Sequence, residues 1–142
     1  MTKILEKVEK LVTSVGFTII GSVDEGGFPN VKAMLPVRER IGLKDFYLTT
    51  NTSSMRVKQY QENPKACLYF MDAKKFIGVM LVGKMMVQTD AETKKRISRL
   101  GDRIYYRGGV EDPDYCVLHF VAEKGRLYQN FGSKDFEVEI GD

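Results

Sequence analysis

The residues with the clearest chemical potential lie in the stretch TNTSSMRVKQYQENP, Thr50 to Pro64. Hydroxyl side chains, including Ser53 and Ser54, come just before two cations, Arg56 and Lys58. Hydroxyl groups donate hydrogen bonds, and an arginine guanidinium can hold an oxyanion through two parallel N–H groups. This combination is typical of an oxyanion site such as one for phosphate, although a solvated loop before a helix would tolerate the same residues.

A strand-to-helix junction is predicted to position these side chains. The strand-like run DFYLTT precedes them, Ser53 or Ser54 can cap the helix that follows, and Asn63-Pro64 ends it. The N-terminus of a helix attracts anions through its unpaired N–H groups and disfavours nearby cations. A bound dianion would make cations at this helix N-terminus favourable instead of unfavourable. The alternative interpretation is a serine cap followed by a solvated basic face.

The apolar patterns predict a helix, three strands, a helix, two strands, a helix and two strands. The predicted strands are FTIIGSV, VKAMLPV, DFYLTT, KACLYFM, FIGVMLVGKMMVQT, YCVLHFVAE and GRLYQNFG. RERIGLK is predicted to be a polar connection, Gly101 to close the third helix, and Lys124-Gly125 to form a tight hairpin between the last two strands. Short turns favour antiparallel pairing, so we expect one mainly β (α+β) domain, residues 1–142, built as a closed or nearly closed barrel.

The composition is that of an ordinary globular domain. Hydrophobic residues make up 43% of the 142 residues, and the net charge is only +3. Such a charge does not by itself indicate nucleic acid. The basic run KKRISR of the third helix has no interleaved aromatic residues, so we predict a solvated face and no nucleic-acid partner.

The sequence also indicates where the protein is located and whether it binds a metal. The segment MTKILEKVEKLV is amphipathic rather than a signal peptide, and no apolar run is long enough to span a membrane, so we expect a cytoplasmic protein. Cys67 and Cys116 lie in apolar runs and are predicted to be buried thiols. His119 is predicted to be a partly buried sheet residue, and no metal site is expected. GxSxG, GxGxxG and Walker motifs are missing, so a cofactor would have to carry any difficult chemistry.

The order and spacing of several short motifs resemble the pyridoxamine 5'-phosphate oxidase-like, FMN-binding split-barrel family, and in particular its general stress protein branch. FPNVKAM matches a family motif with Lys32 where arginine is usual and Met34 two residues on. FYLTTNTSSMRVKQYQENP matches the next, with Thr50 and Ser54 at the family's threonine and serine and Arg56 at its phosphate-binding lysine. VMLVGK ends at a matching glycine, Gly83, and YYRGGVEDPDYCVLHFVAEKGRLYQNFG resembles the tail of this branch.

The resemblance implies a small antiparallel Greek-key split β-barrel with flanking helices that forms a homodimer, with FMN in the groove between the subunits. Arg56 would hold the phosphate with help from Lys32 or Lys58, and Tyr128 and Phe131 could stack on the ring from the partner subunit. The ribityl chain and ring edge would meet threonine side chains and backbone groups of the second strand. The expected cofactor-binding residues are Lys32, Ala33, Met34, Thr49, Thr50, Ser53, Ser54, Arg56, Lys58 and Tyr128.

Three departures from the family pattern argue against true pyridoxamine 5'-phosphate oxidase activity. The chain ends FEVEIGD without an arginine-rich segment, Gly78 stands at the position of a glutamine near the flavin, and Met55 replaces an arginine. We therefore expect an FMN-dependent oxidoreductase acting on an unidentified small molecule. The alternatives are a non-enzymatic flavin-binding stress protein and a cofactor-free dimeric interaction module. No catalytic residue is evident, and the only soft acid–base candidates are Tyr105, Tyr106 and Tyr128.

Overall fold

The computed structural model of the protein describes residues 2–98 and 108–138. Within these residues three α-helices and eight strands follow one another. In order they are α1 (Thr2–Ser14), β1 (Thr18–Val23), β2 (Pro29–Met34), β3 (Glu39–Ile41), β4 (Asp45–Asn51), α2 (Met55–Glu62), β5 (Lys65–Asp72), β6 (Ile77–Gln88), α3 (Ala91–Ile97), a short 3-10 helix (Gly109–Glu111), β7 (Tyr115–Gln129) and β8 (Gly132–Glu137).

All strand pairs are antiparallel, and the strands lie in the order β2-β1-β5-β6-β7-β4-β3, with β8 also paired to β7. One edge of β7 pairs with β6 along most of its length. The other edge is divided, because β4 pairs with its first half and β8 with its second half. Within the described residues no ladder joins β2 to β3, so the sheet stays open. The fold is the expected α+β split barrel.

The sheet wraps around one apolar core with α1 and α2 against it. Phe46 of β4 lies at the centre, with its ring 5.9 Å from that of Phe70 and 6.2 Å from that of Phe120. Val8 and Leu11 of α1 pack into the same cluster. Because side chains fill this interior, a flat cofactor must bind outside the core.

The predicted hairpin at Lys124-Gly125 is wrong. β7 continues through both residues, and Gly125 lies between Leu81 of β6 and Phe136 of β8 in the two ladders. A β-carbon on Gly125 would collide with the Phe136 ring. This glycine therefore serves close packing rather than a turn. The turn into β8 is at Asn130-Phe131, where both residues have positive φ.

Two other boundaries differ from the sequence prediction. RERIGLK is not only a polar connection, because its residues Glu39–Ile41 form β3 against β4, which makes eight strands instead of seven. The third helix begins after its Asp90 cap as expected but ends at Ile97, with Ser98 as its C-cap. Gly101, which was predicted to close it, lies outside the described residues.

Of the two thiols predicted to be buried, Cys116 is buried and Cys67 is only half-buried. Together with the buried Tyr60 phenol they make the fold sensitive to alkaline pH. Burial raises the pKa of the Tyr60 phenol and of the Cys67 and Cys116 thiols above their ordinary values of 10.0 and 9.0. Each folded-state pKa lies above the unfolded one, so these groups favour the folded state below about pH 9, and that contribution is lost as the pH rises further.

We expect the free energy of unfolding to fall between pH 9 and 11, and to fall less steeply when both thiols are removed in Cys67→Ala/Cys116→Ala. Urea unfolding at a series of pH values measures both slopes. Equal slopes for the two proteins would show that the thiols do not contribute to the alkaline loss.

Candidate functional site

The hydroxyl-rich loop lies where β4 ends and α2 begins, as predicted. Thr50 is buried on the core face of β4, and the Cys116 thiol donates to its carbonyl oxygen. Ser54 is the N-cap of α2, because its Oγ accepts a hydrogen bond from the Val57 N–H at 3.4 Å. Of the two serines predicted as possible caps, Ser54 therefore fills the role and Ser53 does not.

Asp114, which no sequence pattern indicated, holds this loop in place. The Thr52 N–H donates to the Asp114 carbonyl oxygen at 2.6 Å, and the Ser53 N–H donates to the Asp114 carboxylate at 2.8 Å. The Ser54 N–H donates in turn to the Asn51 carbonyl. The chain's own acceptors thus occupy the backbone donors of the loop, so an anion here would rely mainly on side chains.

Arg56 provides a hydrogen-bond donor that is available to an oxyanion. Its Nε is buried and has no hydrogen-bond partner among the described residues. A buried donor without a partner costs free energy, more so when it is charged. An oxyanion bound beside the loop would remove that cost. The residues present therefore fit a phosphate monoester, held by the guanidinium of Arg56 with the Ser54 hydroxyl close to it in the chain.

Two contacts place α2 beside the β1–β2 hairpin that carries Lys32. Gln59 accepts a hydrogen bond from Ser22, and Tyr60 donates to the Gly21 carbonyl at 2.9 Å. Lys32 is directly opposite Ile20 of β1, so it extends from the same face of the sheet as that core residue. Because β2 is an edge strand, Lys32 is exposed there and available to a ligand.

The other predicted site residues differ in their surroundings. Met34 is half-buried against the core, whereas Ala33 is exposed on the opposite face of β2. Thr49 is half-buried and extends from the opposite face of β4 to Thr50. Lys58 and the Ser53 side chain are exposed.

Tyr128 lies far from the α2 loop within one chain. Thr50 is opposite Cys116 at the start of β7, and Tyr128 is near the end of the same strand, opposite Gly78. Twelve strand residues span about 40 Å. Tyr128 has its own neighbours, since its ring centre is 6.4 Å from that of Tyr69 and its hydroxyl accepts from Arg126. Arg56 and Tyr128 could contact one ligand only if they came from two copies of the chain.

Gly78 leaves space that Tyr69 fills. A β-carbon at Gly78 would collide with the Tyr69 hydroxyl group. A longer side chain at this position, such as the glutamine implied by the family resemblance, would require Tyr69 to move.

The basic run of α3 is a solvated face only in part, because Lys95 and Arg96 are exposed as predicted but Lys94 is not. Lys94 is buried, donates to the Asp112 carbonyl and lies 5.8 Å from the centre of the Tyr115 ring. The Arg96 guanidinium lies 4.6 Å from the centre of the Tyr47 ring and pairs with Glu39. These cations fasten α3 to the sheet, because their aliphatic stems and charges both find partners.

His119 is a partly buried sheet residue, as predicted. Its Nε2 lies 2.8 Å from an oxygen of Asp45, and its ring stacks on Tyr47 at 4.3 Å.

Among residues 2–98 and 108–138, no group of three or more histidine, cysteine, aspartate or glutamate residues could hold a metal ion. The same part of the chain has no helix of the length and apolarity that a bilayer crossing requires. Tyr105 and Tyr106 lie outside the described residues.

The unclosed antiparallel sheet wrapped around one apolar core defines a class of proteins, the split barrels. A family model described as pyridoxamine 5'-phosphate oxidase matches residues 4–129. The chain belongs to this family, whose members often bind flavin. The chain has no match among curated protein sequences.

Solved structures support the family and its general stress protein branch. A protein from Clostridium acetobutylicum, described as related to general stress protein 26 of B. subtilis and of the pyridoxinephosphate oxidase family, is 40% identical, with a TM-score of 0.89 over 97% of this chain and 96% of that one. General stress protein 26 of Bacillus anthracis is 12% identical, with a TM-score of 0.77 over 95% and 98%. A nimc/nima family protein of C. acetobutylicum is 22% identical, with a TM-score of 0.71 over 94% and 92%. The last two likenesses show the fold alone.

Proposed function

We propose that this protein binds FMN and acts as a flavin-dependent oxidoreductase on a small molecule. The observation that carries the proposal is the buried, unpartnered Nε of Arg56 at the hydroxyl-rich start of α2. A phosphate monoester would give this donor its partner. Membership of a family that often binds flavin makes FMN the phosphate compound that we propose.

Each residue of the site has a proposed task. Arg56 binds the phosphate, with Lys32 or Lys58 adding charge, and Ser54 offers its hydroxyl. Thr49 and the backbone of Thr50, Ala33 and Met34 contact the ribityl chain or the ring edge. Bound flavin would supply the redox chemistry. The chain's own part is to bind and orient it, and we assign no side chain as acid or base.

A homodimer would complete the site. Three large apolar side chains that flank Lys32 and Arg56 in the chain are each more than half exposed: Phe28, Leu35 and Met55. Exposed apolar patches of this kind mark interaction surfaces. We propose that a second copy covers this patch and that its Tyr128 and Phe131 reach the flavin. The separation of Tyr128 from Arg56 along one chain supports this arrangement.

Flavin binding without catalysis is the second candidate. Tyr69 occupies the space beside Gly78, so the family's glutamine contact to the flavin is replaced. A non-enzymatic flavin-binding stress protein would tolerate that change. A dimeric interaction module without cofactor is the remaining alternative.

We place the protein in the cytoplasm, since both cysteines are free thiols and a reducing compartment preserves them.

The test of the function begins with the full chain purified from cells. We expect a yellow protein that releases FMN when it is denatured, identified by chromatography, and a dimer by light scattering. Bleaching of the bound flavin by NADH or NADPH without oxygen supports the oxidoreductase. Bound FMN that no reductant bleaches favours the non-enzymatic candidate, and a colourless protein that does not take up added FMN contradicts both.

A further inference from the structure

A groove lies on the outer face of the sheet, away from the core. It has a volume of about 530 Å³ and crosses β1, β2, β5, β6 and β7, with apolar walls from Val31, Cys67 and Val82. This volume is within the range of small-molecule sites. None of the residues assigned above to FMN lines it.

Two irregularities of the sheet produce the groove. The pairing of β1 with β5 stops at Gly21 and Cys67, and the strands separate beyond that point. Between Val82 and Gly83 the register of β6 against β7 shifts, so that Glu123 is an extra residue of β7. A bulge of this kind bends the strand. The groove is therefore a product of the backbone and does not depend on the position of a single side chain.

The outer face of β5 and β6 carries a ladder that changes from charged to apolar. Lys65 is directly opposite Lys84, Cys67 is opposite Val82, and Tyr69 is opposite Met80. Alternate residues share a face, so these three pairs follow one another on the groove side over about 13 Å. One end of the groove is cationic, and the rest of this ladder is mainly apolar.

Both lysines at the cationic end lack a carboxylate partner. Lys65 and Lys84 are exposed, and neither takes part in an ion pair with the described residues. Like charges directly opposite each other in a sheet are destabilising. A third lysine of the groove, Lys124, is opposite Glu137 in the β7–β8 ladder, and Glu123 is the carboxylate that lines the groove. The uncompensated positive charge is thus at the Lys65–Lys84 pair.

We propose that this groove binds an amphipathic organic anion, with its acidic group between Lys65 and Lys84 and its apolar body along Cys67, Val82 and Val31. An aromatic or aliphatic carboxylate, sulfonate or phosphate with an apolar body of about 10 Å fits this groove. The site is separate from the Arg56 loop, so it does not depend on the proposed FMN binding.

Fluorescence titration of the full chain with 8-anilinonaphthalene-1-sulfonate tests the proposal, with FMN present in excess. We expect one probe to bind per chain, and about tenfold weaker binding in Lys65→Gln/Lys84→Gln, the loss expected when a charge-assisted hydrogen bond is removed. The control variant Lys74→Gln/Lys75→Gln removes two exposed lysines from the β5–β6 turn and should bind the probe as the unaltered protein does. The neutral analogue N-phenyl-1-naphthylamine should bind both variants equally.

Three results would overturn the proposal. The first is a probe affinity that does not change in Lys65→Gln/Lys84→Gln, or no binding at all. The second is an equal loss of the neutral analogue, which would indicate a change of shape instead of a lost charge contact. The third is displacement of the probe by FMN, or binding that disappears as the protein concentration rises, which would assign the groove to the flavin or to a second copy. FMN affinity should be measured on the same variants. An unchanged FMN affinity beside a failed probe experiment would reject the groove proposal alone and leave the proposed function standing.

Discussion

Replacing Arg56 by alanine is expected to weaken FMN binding by about 1.5–3 kcal/mol, which is about 10- to 150-fold in the dissociation constant. The guanidinium is the one charged donor of the α2 loop whose buried nitrogen has no partner within the described part of the chain. The neighbouring backbone donors of Thr52 and Ser53 are already bonded to Asp114. They cannot readily compensate when the arginine is removed.

Quenching of flavin fluorescence measures this effect, and riboflavin is the matched ligand because it lacks the phosphate. The Arg56→Ala variant should lose most of its preference for FMN over riboflavin. Lys74→Ala is the protein control, because Lys74 is an exposed cation of the β5–β6 turn with no assigned part in the FMN site, and its removal should change the affinity by less than about threefold. Equal losses for FMN and riboflavin would show that Arg56 supports the fold of the site without contacting the phosphate.

Local signals predicted the elements that position the candidate site. The serine cap, the alternating run of β4 and the Asn-Pro helix end each act within a few residues, so the sequence contains the whole signal. The prediction of a hairpin at Lys124-Gly125 was wrong because the role of Gly125 depends on a contact that is distant in the sequence. A glycine that makes room for Phe136 cannot be told from a turn glycine until the partner strand is known.

The contacts that the sequence did not predict join segments far apart in the chain. Asp114 reaches Ser53 across 61 positions, and Tyr69 covers Gly78 only because β5 and β6 pair in one register. Lys94 of α3 was misjudged in the same way. A basic run predicts exposure when it is considered alone, and Lys95 and Arg96 are exposed, but Lys94 is buried beside the Tyr115 ring.

Phe46→Ala is expected to destabilise the fold by about 3–5 kcal/mol, the cost of removing a buried aromatic side chain and leaving a cavity. The Phe46 ring is 0% exposed and lies between Phe70 and Phe120. Phe76→Ala is the matched control, because Phe76 is 70% exposed at the β5–β6 turn and should change stability by less than about 0.5 kcal/mol. Urea unfolding of the three proteins gives the free energies.

Phe46→Ala also tests whether stability of the core and FMN affinity of the candidate site are independent. Phe46 faces the interior of β4, whereas the proposed phosphate contact depends on Arg56 beyond the end of that strand. Phe46→Ala that remains folded at low temperature should therefore bind FMN with nearly unchanged affinity, while Arg56→Ala should unfold normally and bind FMN poorly. A Phe46→Ala protein that is folded but binds FMN as weakly as Arg56→Ala would show that the loop geometry is set by the packing of the core and not by its own cap and the Asp114 contacts.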